Sequence, residues 1–257
     1  MLSDRGFSRV SVAQETRLSV RELEFKGKEW QNVRTALNRA KKLGVNAQWG
    51  NYSSLPQSLR TQLSEVSEEW AAQKTVPEMG FTLGGIDELM DDDVLCCLAV
   101  DEQGLVHGVT SWLPSYEGGH VVSWTLDFMR RRGEGFPGVM EFLIASAVLE
   151  LRKTVEVISL SGSPLAQDPA VPRGGGREQE TEVLSGILDV VGRALEPIYG
   201  FRSLATFKSR FKPEYRTLYL YYQDPLHLPA IGRALSRAYL PGLSIRQSAR
   251  LLRTLVR

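Results

Sequence analysis

The sequence predicts an α+β domain, a largely antiparallel sheet with helices packed against it. Three observations predict it. Apolar runs at 94–100, 105–113 and 121–130 follow one another across short glycine-bearing turns. A helical pattern from Val139 to Lys153 then breaks the series. Two more strand-like runs, 155–160 and 217–222, come after it.

In chain order, residues 1–20 are mostly polar and carry no strong signal. Residues 21–44 read as a helix in which Trp30, Val33, Leu37 and Ala40 share a face, Arg34, Arg39, Lys41 and Lys42 supply charge, and Gly44 is the stop. A second helix over 57–74 puts Leu59, Leu63, Val66 and Trp70 on one side. The turns at 101–104 and 116–119 make the three runs that follow a meander. After the loop Gly133–Gly138, the helix from Val139 presents Met140, Leu143, Ile144, Ala147, Val148 and Leu151 inward. Residues 162–182, rich in Gly, Pro and charge, read as a loop, with a helix near 183–196. The segment 225–257 holds six arginines and no Asp or Glu, interleaved with leucine and isoleucine. It reads either as an amphipathic helix on an anionic surface or as one packed on its own domain.

Composition excludes several classes. Hydrophobic residues at 42% and charged residues at 24% are ordinary for a globular chain, and a net charge of +1 does not mark a nucleic-acid binder. The 257 residues suffice for a large core without disulfides or metal. Cys96 and Cys97 are neighbours in an apolar run, so they read as buried small hydrophobes pointing to opposite faces, in a reducing compartment. His107, His120 and His227 show no metal spacing, and no metal or cofactor is expected. No apolar run is long enough to span a bilayer, and the start lacks a signal-peptide core.

Two stretches carry chemistry. The first is the strand ending Leu126-Asp127-Phe128-Met129-Arg130, followed by Arg131, Arg132 and the glycine loop that opens the helix at Val139. A helix N-terminus with arginines beside it suits an anion, and is equally an ordinary connection. Asp127, in apolar company, needs a partner. It reads as a proton acceptor or ammonium site, or as half of a structural ion pair. The second is Phe207-Lys208-Ser209-Arg210-Phe211-Lys212. If extended, Lys208 and Arg210 share one face that suits phosphate, or else a solvated edge with Phe207 and Phe211 buried.

Together these stretches resemble the catalytic domain of the phosphatidylglycerol lysyltransferases and alanyltransferases, the bacterial aminoacyl-phosphatidylglycerol synthases. The matching pieces, in the family's order, are Lys26-Gly27-Lys28 through Arg34 to Ala40, Gly80 to Gly84, Leu126 to Arg130, Gly138 to Leu143, Leu160 to Leu165, and Phe207-Lys208 to Tyr215. The resemblance implies an acetyltransferase-like (GNAT) fold, a mixed and mostly antiparallel sheet flanked by helices, as the second unit of a tandem pair. It divides the chain into 1–75, the end of a first unit with linking helices, 76–224, the catalytic domain, and 225–257, a basic tail.

The resemblance also implies an activity. Aminoacyl-tRNA is the donor, with lysyl favoured over alanyl. The acceptor is the hydroxyl of an anionic phospholipid such as phosphatidylglycerol, at the cytoplasmic face of the bacterial membrane, where the product lowers susceptibility to cationic peptides. An integral membrane domain outside this chain is a further expected partner. Asp127, Arg130 and Lys208 match positions of the active site. Arg131, Arg210, Lys212, Ser161 and Asp168 are expected around the substrate, and Arg34, Arg39, Lys41 and Lys42 on the tRNA. The rival readings are an acyl-CoA-dependent N-acetyltransferase, which fits the Pro137-containing turn poorly, and a non-catalytic tRNA- or membrane-binding module.

Overall fold

A computed structural model of the chain describes residues 2–72, 84–164 and 201–228, together with 230, 231 and 234. One seven-stranded sheet organises them. Its strands are β1 (Ser8–Ser19), β2 (Asn46–Gly50), β3 (Leu95–Val100), β4 (Val106–Glu117), β5 (His120–Arg131), β6 (Val157–Pro164) and β7 (Glu214–Tyr222). Their order across the sheet is β2-β3-β4-β5-β6-β1-β7. The helices are α1 (Gln31–Lys42), α2 (Gln57–Ala72), α3 (Val139–Leu151) and α4 (Phe201–Ser209).

The expected meander is present: β3, β4 and β5 pair antiparallel in sequence. The α3 crossover then brings β6 back parallel to β5, because a helix between two strands returns the chain in the same direction. Every other pairing is antiparallel. The parallel pair is short. It joins Ser123–Thr125 to Val157–Ser159 and goes no further, although β5 continues to Arg131 and β6 to Pro164.

Both faces of the sheet are covered. On one, Leu59, Leu63 and Val66 of α2 pack on Cys96, Leu98, Val109 and Phe128. On the other, α1 and α3 cover Cys97, Ala99, Leu126, Ile158 and Leu160. Cys96 and Cys97 are thus free thiols buried on opposite sides, as their alternation requires. Burial pushes the Cys96 thiol up to about 12 and holds the Cys97 thiol well above its ordinary value. Nine side chains of α3 are buried, so it lacks a polar face; α1 lies across its outer side. The close approach is at Gly138, whose φ of 97° ends the loop and whose missing Cβ leaves room for Ala36.

Several expectations are corrected. Residues 8–19, silent in the sequence, form a strand paired on both edges, and β2 borders the sheet. Strands β1 and β2, both before residue 75, thus belong to the same sheet as β3–β7, and the expected division at 75/76 lies outside the described residues. The helix expected over 21–44 starts only at Gln31, after a short 3-10 turn at Lys28–Trp30. The segment around Phe207 is helical, not extended. The helix expected near 183–196, Gly80–Leu83 and nearly all of the arginine-rich tail lie outside the described residues.

Candidate functional site

The site is built where β5 and β6 part. On β5, pairing with β4 shifts between Trp112↔Leu126 and Thr110↔Met129. Asp127 and Phe128 therefore both stand opposite Ser111, whose hydroxyl accepts the Phe128 N–H at 3.0 Å. This bulge re-aims the strand. Leu126 lies with the α3-side core, whereas Phe128 lies with α2.

Asp127 is half-buried beneath the chain at Gly84, whose N–H donates to its carboxylate. A Cβ at Gly84 would overlap Asp127 Oδ2, so the residue there has to be glycine for the loop to lie so close. Burial, and then the nearby Glu88 carboxylate, raise the Asp127 pKa above its ordinary value; the Gly84 amide and Arg130 oppose the rise. Arg130 is 2% exposed. Its guanidinium lies 3.6 Å from the centroid of the Trp70 ring on α2 and 4.6 Å from that of Phe128, and Nη1 donates to the Met129 carbonyl. Aromatic faces hold the charge where water does not reach it.

On β6, the ladder with β1 is irregular at the level where the β5 pairing stops. Ser161 has φ 69°, unusual for a residue with a side chain. Lys208, on α4, reaches this kink: its Nζ donates to Gly162 O at 3.2 Å and Ser161 O at 3.5 Å. Lys208 is 3% exposed, and burial alone lowers its pKa to about 8. Carbonyls satisfy hydrogen-bond geometry but carry no formal charge to balance an ammonium. Asp127 and Arg130 are in electrostatic contact with each other, while Lys208 is held from the β6 side.

The remaining expected residues divide. Ser161 contributes its carbonyl, as described. Lys208 and Arg210 do not share a face, because helix α4 ends between them: Lys208 is buried and Arg210 exposed. Arg210 pairs with Glu141 of α3 at 2.6 Å. Lys212 sits exposed in a left-handed turn, φ 52°. Arg131 is exposed at the end of β5. The three consecutive arginines do not converge on the α3 N-terminus, since Arg130 turns to Trp70 and Arg132 bonds Val106 O and approaches Glu65. That terminus is covered by Ala36, and Arg39 donates to Pro137 O. Arg34, Lys41 and Lys42 remain on the exposed face of α1. Asp168 lies outside the described residues.

Sequence reasoning missed Gly84 as a backbone donor, Glu88 as a neighbouring charge and Trp70 as the platform for Arg130. Only Trp70 had a usable signal, its place on the inner face of α2 one turn beyond Val66. Among the described residues there is no cluster of His, Cys, Asp or Glu fit for a metal, and no helix long and apolar enough to cross a membrane.

A mixed sheet that splits at a parallel strand pair, with helices on both faces, is the acetyltransferase-like arrangement. Residues 1–222 match the family described as phosphatidylglycerol lysyltransferase, C-terminal, and the chain belongs to that family. An uncharacterised protein of Corynebacterium glutamicum is 48% identical over 91% of this chain, which covers 29% of that protein. The lysylphosphatidylglycerol biosynthesis bifunctional protein LysX of Nocardia farcinica is 28% identical over 93% of the chain, which covers 21% of it. The chain thus spans under a third of these relatives' length. Among solved structures, the C-terminal domain of a putative lysylphosphatidylglycerol synthetase from Agrobacterium fabrum superposes with a TM-score of 0.72 at 20% identity, covering 94% of this chain and 69% of that one. The L-PGS structure from Bacillus licheniformis gives 0.69 at 21% identity, covering 91% and 69%.

Proposed function

We propose that the chain is the catalytic portion of an enzyme that moves an aminoacyl group, lysyl before alanyl, from aminoacyl-tRNA to a hydroxyl of phosphatidylglycerol. The observation that carries this reading is Lys208: a buried ammonium with no balancing carboxylate among the described residues, set where the sheet splits, in a chain of this family. A buried cation without a counter-charge suits an anionic ligand.

The aminoacyl ester is already activated, so positioning and charge placement supply the catalysis. The lipid hydroxyl oxygen attacks the ester carbonyl carbon. Its proton passes to Asp127, which burial makes a stronger proton acceptor than an exposed aspartate. The bond from the carbonyl carbon to the tRNA ribose oxygen then breaks, and that oxygen takes the proton back from Asp127. Arg130 and Lys208 hold the phosphate groups. The exposed cations Arg34, Lys41 and Lys42 face the tRNA, a contact that salt weakens. The work is done at the cytoplasmic face of the membrane, together with a domain outside this chain.

The acyl-CoA alternative loses support at the N-terminus of α3, where Ala36 packs against Gly138 and Arg39 donates to Pro137 O. The test is transfer of radiolabelled lysine from lysyl-tRNA to phosphatidylglycerol vesicles by the full-length protein, with alanyl-tRNA in parallel. Labelled lipid is expected, and its loss in Asp127→Ala and Lys208→Ala. An unlabelled lipid fraction from correctly folded protein overturns the reading.

A further inference from the structure

The β1–β6 ladder holds a second buried polar group on which nothing yet depends. Pairing runs Glu15↔Gly162 and then Arg17↔Ser159. One residue of β1, Thr16, therefore faces two of β6, Leu160 and Ser161. The bulge is stitched on its own strand: Ser161 N–H donates to Ser159 Oγ at 3.1 Å. Its carbonyls at Ser161 and Gly162 are the ones that take the Lys208 ammonium. Thr16 thus stands directly across the ladder from the peptide groups that anchor Lys208.

Thr16 is 0% exposed, and its buried hydroxyl has no hydrogen-bond partner among the described residues. Such a hydroxyl is unfavourable by about 1–3 kcal/mol. Valine has the same shape and avoids that penalty, so folding alone does not call for threonine here. The neighbouring inward position on β1, Gln14, is also polar and only 7% exposed. The ladder beside Lys208 is polar where an ordinary core strand is apolar, and the unused hydroxyl can donate.

We propose that Thr16 binds substrate beside Lys208, the two together presenting donors to the phosphodiester oxygens of the lipid acceptor. This rests on the reading of Lys208 given above. A phosphodiester has two equivalent anionic oxygens, which one ammonium and one hydroxyl match. Lys208 supplies the charge; Thr16 fixes which oxygen it meets.

The test uses the full-length protein, with Thr16→Val, Thr16→Ser and Lys208→Ala. Binding of the soluble headgroup glycerophosphoglycerol is measured by calorimetry, and KM for phosphatidylglycerol and for aminoacyl-tRNA in the transfer assay. Thr16→Val is expected to keep or raise Tm. It should weaken headgroup binding and raise the lipid KM about tenfold, the loss of one charge-assisted hydrogen bond. KM for aminoacyl-tRNA should not move, and Thr16→Ser should restore lipid affinity. A lowered Tm in Thr16→Val shows the hydroxyl bonded within the fold and overturns the inference. So does unchanged lipid affinity while Lys208→Ala loses it. If Lys208→Ala also binds the headgroup like wild type, the reading of Lys208 itself fails.

Discussion

The Gly84 N–H donates to the Asp127 carboxylate, and the missing side chain of Gly84 is what lets the two approach. A methyl group at 84 has to displace either the carboxylate or the chain that covers it. Gly84→Ala is therefore expected to destabilise by about 1–3 kcal/mol, the usual range for overpacking a buried contact. Transfer activity should fall further than Tm accounts for, because Asp127 moves. Thermal unfolding and transfer rates of the same preparation check this; a variant with normal activity would show that the contact does not position Asp127.

Lys208 makes stability depend on pH in an unusual direction. Its ordinary pKa of 10.5 falls to about 8 in the folded protein, because burial disfavours the charged form. Between those values the unfolded chain holds a proton that the folded one has released, so stability rises with pH across that window. Below pH 8 both states are charged and the full penalty applies, ~3 kcal/mol at most for a shift of this size. Lys208→Met should therefore raise Tm at pH 7, and the gain should vanish toward pH 10.5, while transfer is lost. Calorimetric melts across pH 7–10.5 read both; a Lys208→Met protein less stable than wild type at pH 7 contradicts the assignment.

These two residues show what the sequence disclosed and what it did not. Asp127 and Arg130 stood out because charges interrupted an apolar strand. Gly84 entered only as the end of the Gly80–Gly84 stretch, since its role is a backbone N–H and an absent Cβ, neither of which leaves a pattern. The meander and α3 were legible from periods of two and 3.6. Strand β1 was not, because its inward positions include Gln14 and Thr16, which break the apolar alternation. The five-residue β2 was too short to signal. In the α4 region the interleaved cations suggested an extended edge, whereas Phe207 and Phe211 are four apart and meet edge to face at 5.9 Å, a helical spacing that was there to be read.

The Arg210–Glu141 pair joins the turn after α4 to α3. Arg210 is 44% exposed at its side chain and Glu141 13%, so the pair is partly screened. A double-mutant cycle with Arg210→Ala and Glu141→Gln is expected to give a coupling of about 0.5–1 kcal/mol in urea melts, near the top of the range for exposed pairs. Lipid KM should stay within about twofold of wild type, below the effect of losing a single net hydrogen bond. A coupling near zero combined with a large KM increase would move Arg210 from scaffold to substrate contact.

Trp70 sets the position of Arg130 through its ring face, 3.6 Å from the guanidinium carbon. The arginine is almost wholly buried, so its contact with the ring counts for more than at an exposed site, about 2 kcal/mol. Trp70→Phe keeps a smaller face and should lose little. Trp70→Ala removes the platform, leaves a void against α2, and is expected to destabilise by about 3–5 kcal/mol if the site does not collapse, less because Trp70 is only half-buried. Arg130 would then be free to swing toward water, and kcat should fall while KM for aminoacyl-tRNA, assigned in the proposed function to the exposed α1 cations, changes little. Asp127 loses part of its opposing charge in the same step, so its pKa should rise further and the acid limb of the pH–rate profile should shift to higher pH. An unshifted limb in a folded Trp70→Ala protein would mean that Arg130 keeps its place without the ring.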